Sequence, residues 1–245
     1  MSALIAQELV RTFGKTRALD GLSFEVAPGE LYGLVGPDGA GKTTTLRILA
    51  GVMKPTDGAA YVFGKDPMST DEHVRSSIGY MPQQYSLYGD LSVDENLHFF
   101  SKMFCLDRAT YQERRERLLG ITRLGRFTDR RADALSGGMY KKLALACSLL
   151  SRPDVLILDE PTNGVDPVSR RELWALLFEL VEEGMAVIVS TAYMDEAERC
   201  HRVGLLFEGR LLVEGDPTAL LADYRRSQPS ATFEDVFLAT VRGAA

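Results

Sequence analysis

Residues 36–43, Gly36-Pro37-Asp38-Gly39-Ala40-Gly41-Lys42-Thr43, fit the pattern GxxxxGK[ST]. The pattern has a mechanical meaning. Its glycines let successive backbone N–H groups turn inward around phosphate oxygens, and the N-terminus of the helix that follows adds partial positive charge. Lys42 would neutralise the β- and γ-phosphates and Thr43 would offer its hydroxyl to Mg²⁺, with Thr44 next along the helix. Lys42 is expected to end in solvent-filled phosphate space rather than in the core. A glycine-rich turn that merely caps a helix is the alternative, but the apolar run before the motif and the helical pattern after it match the context that phosphate binding needs.

Two further constellations carry chemistry. Val155-Leu156-Ile157-Leu158 is followed by Asp159-Glu160, which puts two carboxylates at the C-terminal end of an apolar strand, the usual ligand edge of an α/β sheet. Acids there often just begin a loop; behind a phosphate loop, Asp159 suits a Mg²⁺ shell and Glu160 suits a base that orients and deprotonates water. Leu135-Ser136-Gly137-Gly138-Met139 precedes an apolar helix. Ser136 is a natural N-cap on one reading. On the other, Ser136, Gly137 and Gly138 form a second phosphate-binding helix end. One nucleotide hardly needs two such seats, so the second points to another subunit's ATP.

These residues need a sheet to hold them. Residues 4–13 and 22–27 read as short strands, the second closed by Pro28-Gly29, and 31–36 as a buried strand entering the glycine-rich turn. Lys42 to Ala50 reads as helix stopped by Gly51, and 58–63 and 78–81 as strands. Residues 89–152 carry three helical stretches (93–105, 109–120, 137–150) and read as a helical subdomain. Strand 155–159, helix 167–183, strand 186–190, helix 193–200 and strand 203–207 then alternate, which implies a mostly parallel sheet covered by helices. The tail, 216–245, reads as helix, a polar break at Ser227-Gln228-Pro229-Ser230, and a last helix from about Thr232. The whole chain, 1–245, reads as one α/β domain.

Composition narrows the partners. The 245 residues are 45% hydrophobic and 25% charged, enough to bury a core without disulfides or metals. Cys105, Cys147 and Cys200 are widely spaced and point to reduced thiols. A net charge of −6 without a Lys/Arg block argues against nucleic acid as a partner. The longest apolar runs fall far short of the roughly 20 residues of a spanning helix. No signal-peptide pattern opens the chain, so any membrane role is expected to come through a partner.

The order of motifs resembles the ATP-binding cassette of ABC transporters over nearly the whole chain. Tyr80-Met81-Pro82-Gln83 resembles the Q-loop, Leu135–Gly138 the LSGG signature, the Asp159-Glu160 strand the Walker B motif, and Gly164-Val165-Asp166 the D-loop. Phe13, before Gly14, is similar to the A-loop aromatic that stacks on adenine; an aromatic packed on the core is its other reading. The resemblance implies a P-loop NTPase with a RecA-like, mostly parallel core, an antiparallel β subdomain and a helical subdomain. It implies ATP and Mg²⁺ as ligands. Gln83 would reach Mg²⁺ and the attacking water and link the helical subdomain to a membrane partner. It further implies a second nucleotide-binding domain closing head to tail, so that one chain's phosphate loop and the other's Ser136-Gly137-Gly138 sandwich each ATP. Membrane-spanning permease subunits would hold the chain, peripherally, at the cytoplasmic face of the inner (cell) membrane. Gln83 and the stretch Tyr85–Asp90 would lie beside a groove for a short permease helix. Met194-Asp195-Glu196-Ala197-Glu198 and Phe233-Glu234-Asp235-Val236-Phe237 are similar to drug- and polysaccharide-type export cassettes. Soluble ABC ATPases acting on nucleic acid or ribosomes form a rival class, but they tend to carry coiled coils, zinc modules or a second linked cassette, and none is visible here.

The chain departs from the family's pattern at three places. After Ser190-Thr191, where the family usually has a histidine, stands Ala192. A methyl group cannot hydrogen-bond a γ-phosphate, and losing such a group typically costs ~10²–10³ in rate. None of His73, His98 and His201 stands where it obviously substitutes. Asp38 replaces a frequent Asn and puts a carboxylate near phosphates unless it turns outward. Met139 replaces the usual Gln after LSGG and should matter less. For Ala192 three readings stay open: a degenerate site with hydrolysis at the partner's, an engineered block that traps an ATP-bound state, or slow turnover on Glu160 alone.

Overall fold

Two kinds of apolar pattern sort the strands into two sheets. Leu31–Val35, Val155–Asp159 and Ala186–Thr191 are buried at every position, as strands covered on both faces must be. Leu4–Phe13 and Thr16–Val26 mix buried and exposed positions, the mark of a sheet with one face in water. The computed structural model describes residues 1–84, 87–226 and 228–244. Its elements in chain order are β1 (Leu4–Phe13), β2 (Thr16–Val26), β3 (Leu31–Val35), α1 (Lys42–Leu49), β4 (Asp57–Val62), α2 (Glu72–Ser76) and β5 (Ile78–Met81). Then come α3 (Val93–Met103), α4 (Arg108–Thr122), α5 (Gly137–Leu149), β6 (Val155–Asp159), α6 (Pro167–Glu182), β7 (Ala186–Thr191) and α7 (Met194–Ala197). The last are β8 (Arg202–Phe207), β9 (Arg210–Gly215), α8 (Pro217–Arg225) and α9 (Phe233–Ala244).

The smaller sheet, β2-β1-β4, is antiparallel. The larger runs β5-β6-β7-β3-β8-β9 and is parallel except for β9. Successive side chains of its central strands point to opposite faces. Leu34, Ile157 and Ile188 join a core with α1 and the antiparallel sheet. Val35, Leu156, Leu158, Val187 and Val189 join the core under α5, α6 and the C-terminal helix. Register decides what stands at the edge: Asp159 pairs with Ser190 and Val35 with Thr191, so β3, β6 and β7 end side by side. Between β5 and β6 the described residues hold α3, α4, α5 and a short 3₁₀ turn at Ala132–Ala134, with no strand. Among the described residues no helix is long and apolar enough to cross a membrane.

Some expected boundaries shift. The strand expected at 22–27 is the end of a longer one starting at Thr16, because hairpin pairing with β1 carries the polar residues Arg17 and Asp20 into the ladder. The expected helix 193–200 shortens to Met194–Ala197. β9 lies outside the strands expected from sequence, although Glu208-Gly209 separates two apolar runs; in the structure both residues have positive φ and make a two-residue hairpin turn. The short α2, capped by Asp71, was also missed. Gly51 follows α1 with φ +68, as a C′ glycine should. Tyr85 and Ser86 of the expected permease-facing stretch, and Ser227 of the polar break, lie outside the described residues.

Candidate functional site

The glycine-rich loop hangs from the end of β3. The Gly36 N–H donates to the Thr191 carbonyl at 3.2 Å, Ala40 N–H to Pro37 at 3.2 Å, and Gly209 N–H to Ala40 at 2.9 Å. Gly41 has φ +109, and a Cβ there would meet the Ala18 carbonyl oxygen at 2.7 Å, so only glycine lets the antiparallel sheet come this close. Lys42 corrects the sequence expectation. It does not end in open space: it is 4% exposed and donates to the carbonyls of Gly36 at 2.8 Å and Pro37 at 3.0 Å. Its Nζ also lies 3.4 Å from Glu160 Oε1. An ammonium at the foot of a helix folds back when carbonyls and a carboxylate are its nearest acceptors. Asp38 is 95% exposed, and its Oδ1 lies 4.0 Å from Lys42 Nζ, so water screens the carboxylate while the lysine offsets its charge. Thr43 and Thr44 follow on the first turn of α1, both half-buried.

Asp159 and Glu160 end β6. Thr43 Oγ1 donates to Asp159 Oδ1 at 3.1 Å and Ser190 Oγ to the same oxygen at 2.7 Å. Asp159 Oδ2 is buried with no hydrogen-bond partner, and an orphaned carboxylate oxygen beside a hydroxyl suits a hard cation. Among the described residues no cluster of three His, Cys, Asp or Glu could hold a metal alone. The donor set fits Mg²⁺, which takes one or two carboxylates and completes its shell with phosphate oxygens and water. Glu160 is 8% exposed and sits at φ +47, a left-handed conformation uncommon outside glycine and concentrated at functional sites. Its N–H donates to Ser190 Oγ at 3.0 Å, while its Oε2 accepts from Gln83 Nε2 at 2.6 Å and Asn163 Nδ2 at 3.2 Å.

Lys42, Thr43, Gln83, Asp159 and Glu160 therefore converge. Ser136, Gly137 and Gly138 do not join them. Ser136 caps α5 through its Oγ, which accepts from Met139 N–H at 3.3 Å, and it is exposed with Gly137. A Cβ on Gly138 would lie 2.4 Å from Ser169 Cβ, so the start of α5 rests directly on the start of α6. Phe13 is 43% exposed, with the Arg11 guanidinium 4.6 Å from its ring; it is not a core aromatic. It stands on the antiparallel sheet, the layer that meets the phosphate loop at Gly41.

Ala192 follows Thr191 at the end of β7, between the strands that carry the phosphate loop and the two acids. Its loop is pinned from beneath by the fully buried Glu196. That carboxylate accepts from Thr191 Oγ1 at 2.7 Å and Trp174 Nε1 at 3.4 Å, and Arg170 Nε lies 3.7 Å away. No histidine replaces the missing one. His201 Nδ1 accepts the Leu31 N–H at the opposite end of β3, His73 is on α2 and His98 on α3. Sequence reasoning missed Ser190, Asn163, Glu196 and Lys141. Asn163 and Ser190 are near neighbours of motif residues and could have been suspected. Lys141, whose Nζ donates to the Gln83 carbonyl at 2.8 Å, gave no signal.

A family profile described as "ABC transporter" matches residues 19–163. The "Probable multidrug ABC transporter ATP-binding protein YbhF" of Escherichia coli (strain K12) is 43% identical over 234 residues, 95% of this chain but 40% of the relative; the chain thus spans well under half of that protein. The "Nod factor export ATP-binding protein I" of Paraburkholderia xenovorans (strain LB400) is 42% identical over 222 residues, 90% of this chain and 73% of the relative. Among solved structures, an "ATP binding subunit of ABC transporter" aligns with a TM-score of 0.85 at 29% identity, covering 98% of this chain and 100% of that one. A dimeric ATP-binding cassette in a post-hydrolysis state, bound to ADP and Pi, aligns at 0.79 and 26% identity over 87% of this chain and 98% of that one.

Proposed function

The chain belongs to the ABC transporter family, and from that premise we propose that it binds and hydrolyses Mg-ATP to drive export by a separate membrane-spanning permease. The observation that carries this reading is the setting of Glu160. Its carboxylate is gripped by Lys42, Gln83 and Asn163, next to the unpartnered oxygen of Asp159.

ATP phosphates would displace the Gly36 and Pro37 carbonyls from Lys42 and take the inward N–H groups of the loop. Phe13 would stack on adenine. Thr43, Asp159 and Gln83 would hold Mg²⁺, which when bound neutralises charge on the β- and γ-oxygens. Glu160 would orient the attacking water and accept its proton, and Gln83 would keep that carboxylate aimed. Ser136 and Gly137, exposed at the start of α5, with Gly138 buried behind them, would close on the ATP of a second nucleotide-binding domain. First-turn amides lack intrahelical acceptors, which supports that role. The permease would dock at the cytoplasmic face of the cell membrane. The groove lined by Leu91, Asp94, His98, Phe99 and Met103 supports this, with the half-exposed Tyr88 ring 4.5 Å from Phe99. A second reading, a cassette that clamps ATP while a partner's site hydrolyses, is favoured by one observation: the methyl of Ala192 between the two halves of the site.

Calorimetry and turnover test the proposal. Lys42→Met should weaken Mg-ATP binding at least ~10-fold while the domain melts cooperatively, and Glu160→Gln should keep binding and stop hydrolysis. Unchanged ATP affinity in Lys42→Met would sink the phosphate-site assignment.

A further inference from the structure

Lys141 lies one turn inside α5, about 6 Å along the axis from Gly137 at 1.5 Å per residue. Its Nζ donates to the backbone carbonyl of Gln83 at 2.8 Å and lies 3.5 Å from the carbonyl of Glu160. Those are the two residues whose side chains share the 2.6 Å hydrogen bond at the heart of the site. One ammonium thus ties the main chains of both to the helix that begins with Ser136-Gly137-Gly138. We propose that Lys141 is a positioning residue that relays closure of the Ser136–Gly138 seat on a second subunit's nucleotide to Gln83 and Glu160 of its own chain. The inference rests on the reading of that seat as a nucleotide contact made in trans.

The surroundings make the tie stiff. Burial lowers the Lys141 ammonium from its ordinary range, with Asp159 and Glu160 pulling it back up. The side chain is half-buried, which favours its carbonyl partners over water. The same helix is held on another side by Lys142, which pairs with Glu172, as does Arg123. Its first turn is pressed on Ser169 by Gly138. A helix gripped this way moves as a body, so a shift at its N-terminus must reach the Lys141 ammonium and the carbonyls it holds. Lys142 cannot do the same work, because its partner is on α6.

The test uses the full chain with Mg-ATP, reading dimerisation by sedimentation and amide hydrogen exchange over residues 80–84 by mass spectrometry. In the wild type, ATP should dimerise the chain and slow exchange in that segment ~10-fold or more. Ser136→Arg should lose both effects. Lys141→Met should still bind ATP and dimerise, but the slowing should shrink to less than ~2-fold, and Lys141→Arg should restore it. Full slowing in Lys141→Met overturns the relay. So does faster exchange of the segment without ATP that Arg fails to correct, the signature of a merely structural tie. A wild type that binds ATP without dimerising refutes the reading of the Ser136 seat, and the relay falls with it; sedimentation alone reveals that case.

Discussion

Ala192 stands where two strands and the phosphate loop meet, and its surroundings are intact. Thr191 is paired with Val35, its hydroxyl is held by Glu196 and accepts the Tyr193 N–H at 3.0 Å, and Ala192 itself is exposed. A histidine placed there would start from an exposed position on a backbone already held by Glu196. Ala192→His should therefore raise kcat ~10-fold or more, for which ~1.4 kcal/mol of transition-state stabilisation suffices. ATP affinity should change much less, because the phosphate loop supplies most ground-state binding. Steady-state turnover of the dimer-forming chain checks this, with Glu160→Gln as the control. An unchanged rate alongside an inactive Glu160→Gln would show that the missing imidazole does not limit turnover. The residue types at this scale were legible, since Lys42, Thr43, Asp159 and Glu160 announce themselves by spacing. The inward fold of Lys42 was not, because its acceptors come from a loop and from a strand far along the chain.

At the scale of elements, the starts of α5 and α6 lie against each other, and the buried Glu196 carboxylate sits under the loop that carries Ala192. Gly138→Ala should drive a methyl into Ser169 and cost about 1–3 kcal/mol by overpacking. Ser169→Gly in the same chain should recover much of it, because the clash is with the serine Cβ and Oγ. Urea denaturation of the two single variants and the double measures the coupling; additive losses would show that the two helix starts do not press on each other. Glu196→Ala removes the acceptor for Thr191 and leaves Arg170 and Trp174 without their partner, so a loss of about 3–5 kcal/mol is expected. A shift under ~1 kcal/mol in the same assay would rule out a pinning role. Apolar periodicity foretold both helices. It could not foretell which turns touch, because a Gly–Ser contact has no pattern along the chain.

For the whole molecule the question is where a permease docks. Crosslinking from Tyr88→Cys requires a clean thiol background, and the structure says which cysteine to remove. Cys105 is exposed, while Cys147 and Cys200 are buried. Burial raises both buried thiols, Cys200 to about 12, which leaves little reactive thiolate. In a Cys105→Ser chain, Tyr88→Cys should crosslink to membrane subunits, and Lys15→Cys, on the exposed turn between β1 and β2, should not. Equal labelling at both positions, or none at Tyr88 and its neighbours, would remove the groove beside α3 as the docking face.

What the chain's sequence determined by itself was the chemistry and the class of fold. Closely spaced glycines, a lysine and a hydroxyl at fixed offsets, and acids closing an aliphatic run are local patterns, and strand–helix alternation leaves few ways to pack. What the tertiary structure decided depends on contacts between distant segments. Strand order sets β7 between β3 and β6, which makes Ala192 a neighbour of both the phosphate loop and Glu160. Ser190 reaches Asp159, Gln83 reaches Glu160, and Lys141 reaches the Gln83 carbonyl only after the sheet and α5 are assembled. The physical reason is range. Propensity and periodicity act over a turn or a strand, whereas a hydrogen bond across thirty residues or more exists only once the burial of the core has brought its two ends together.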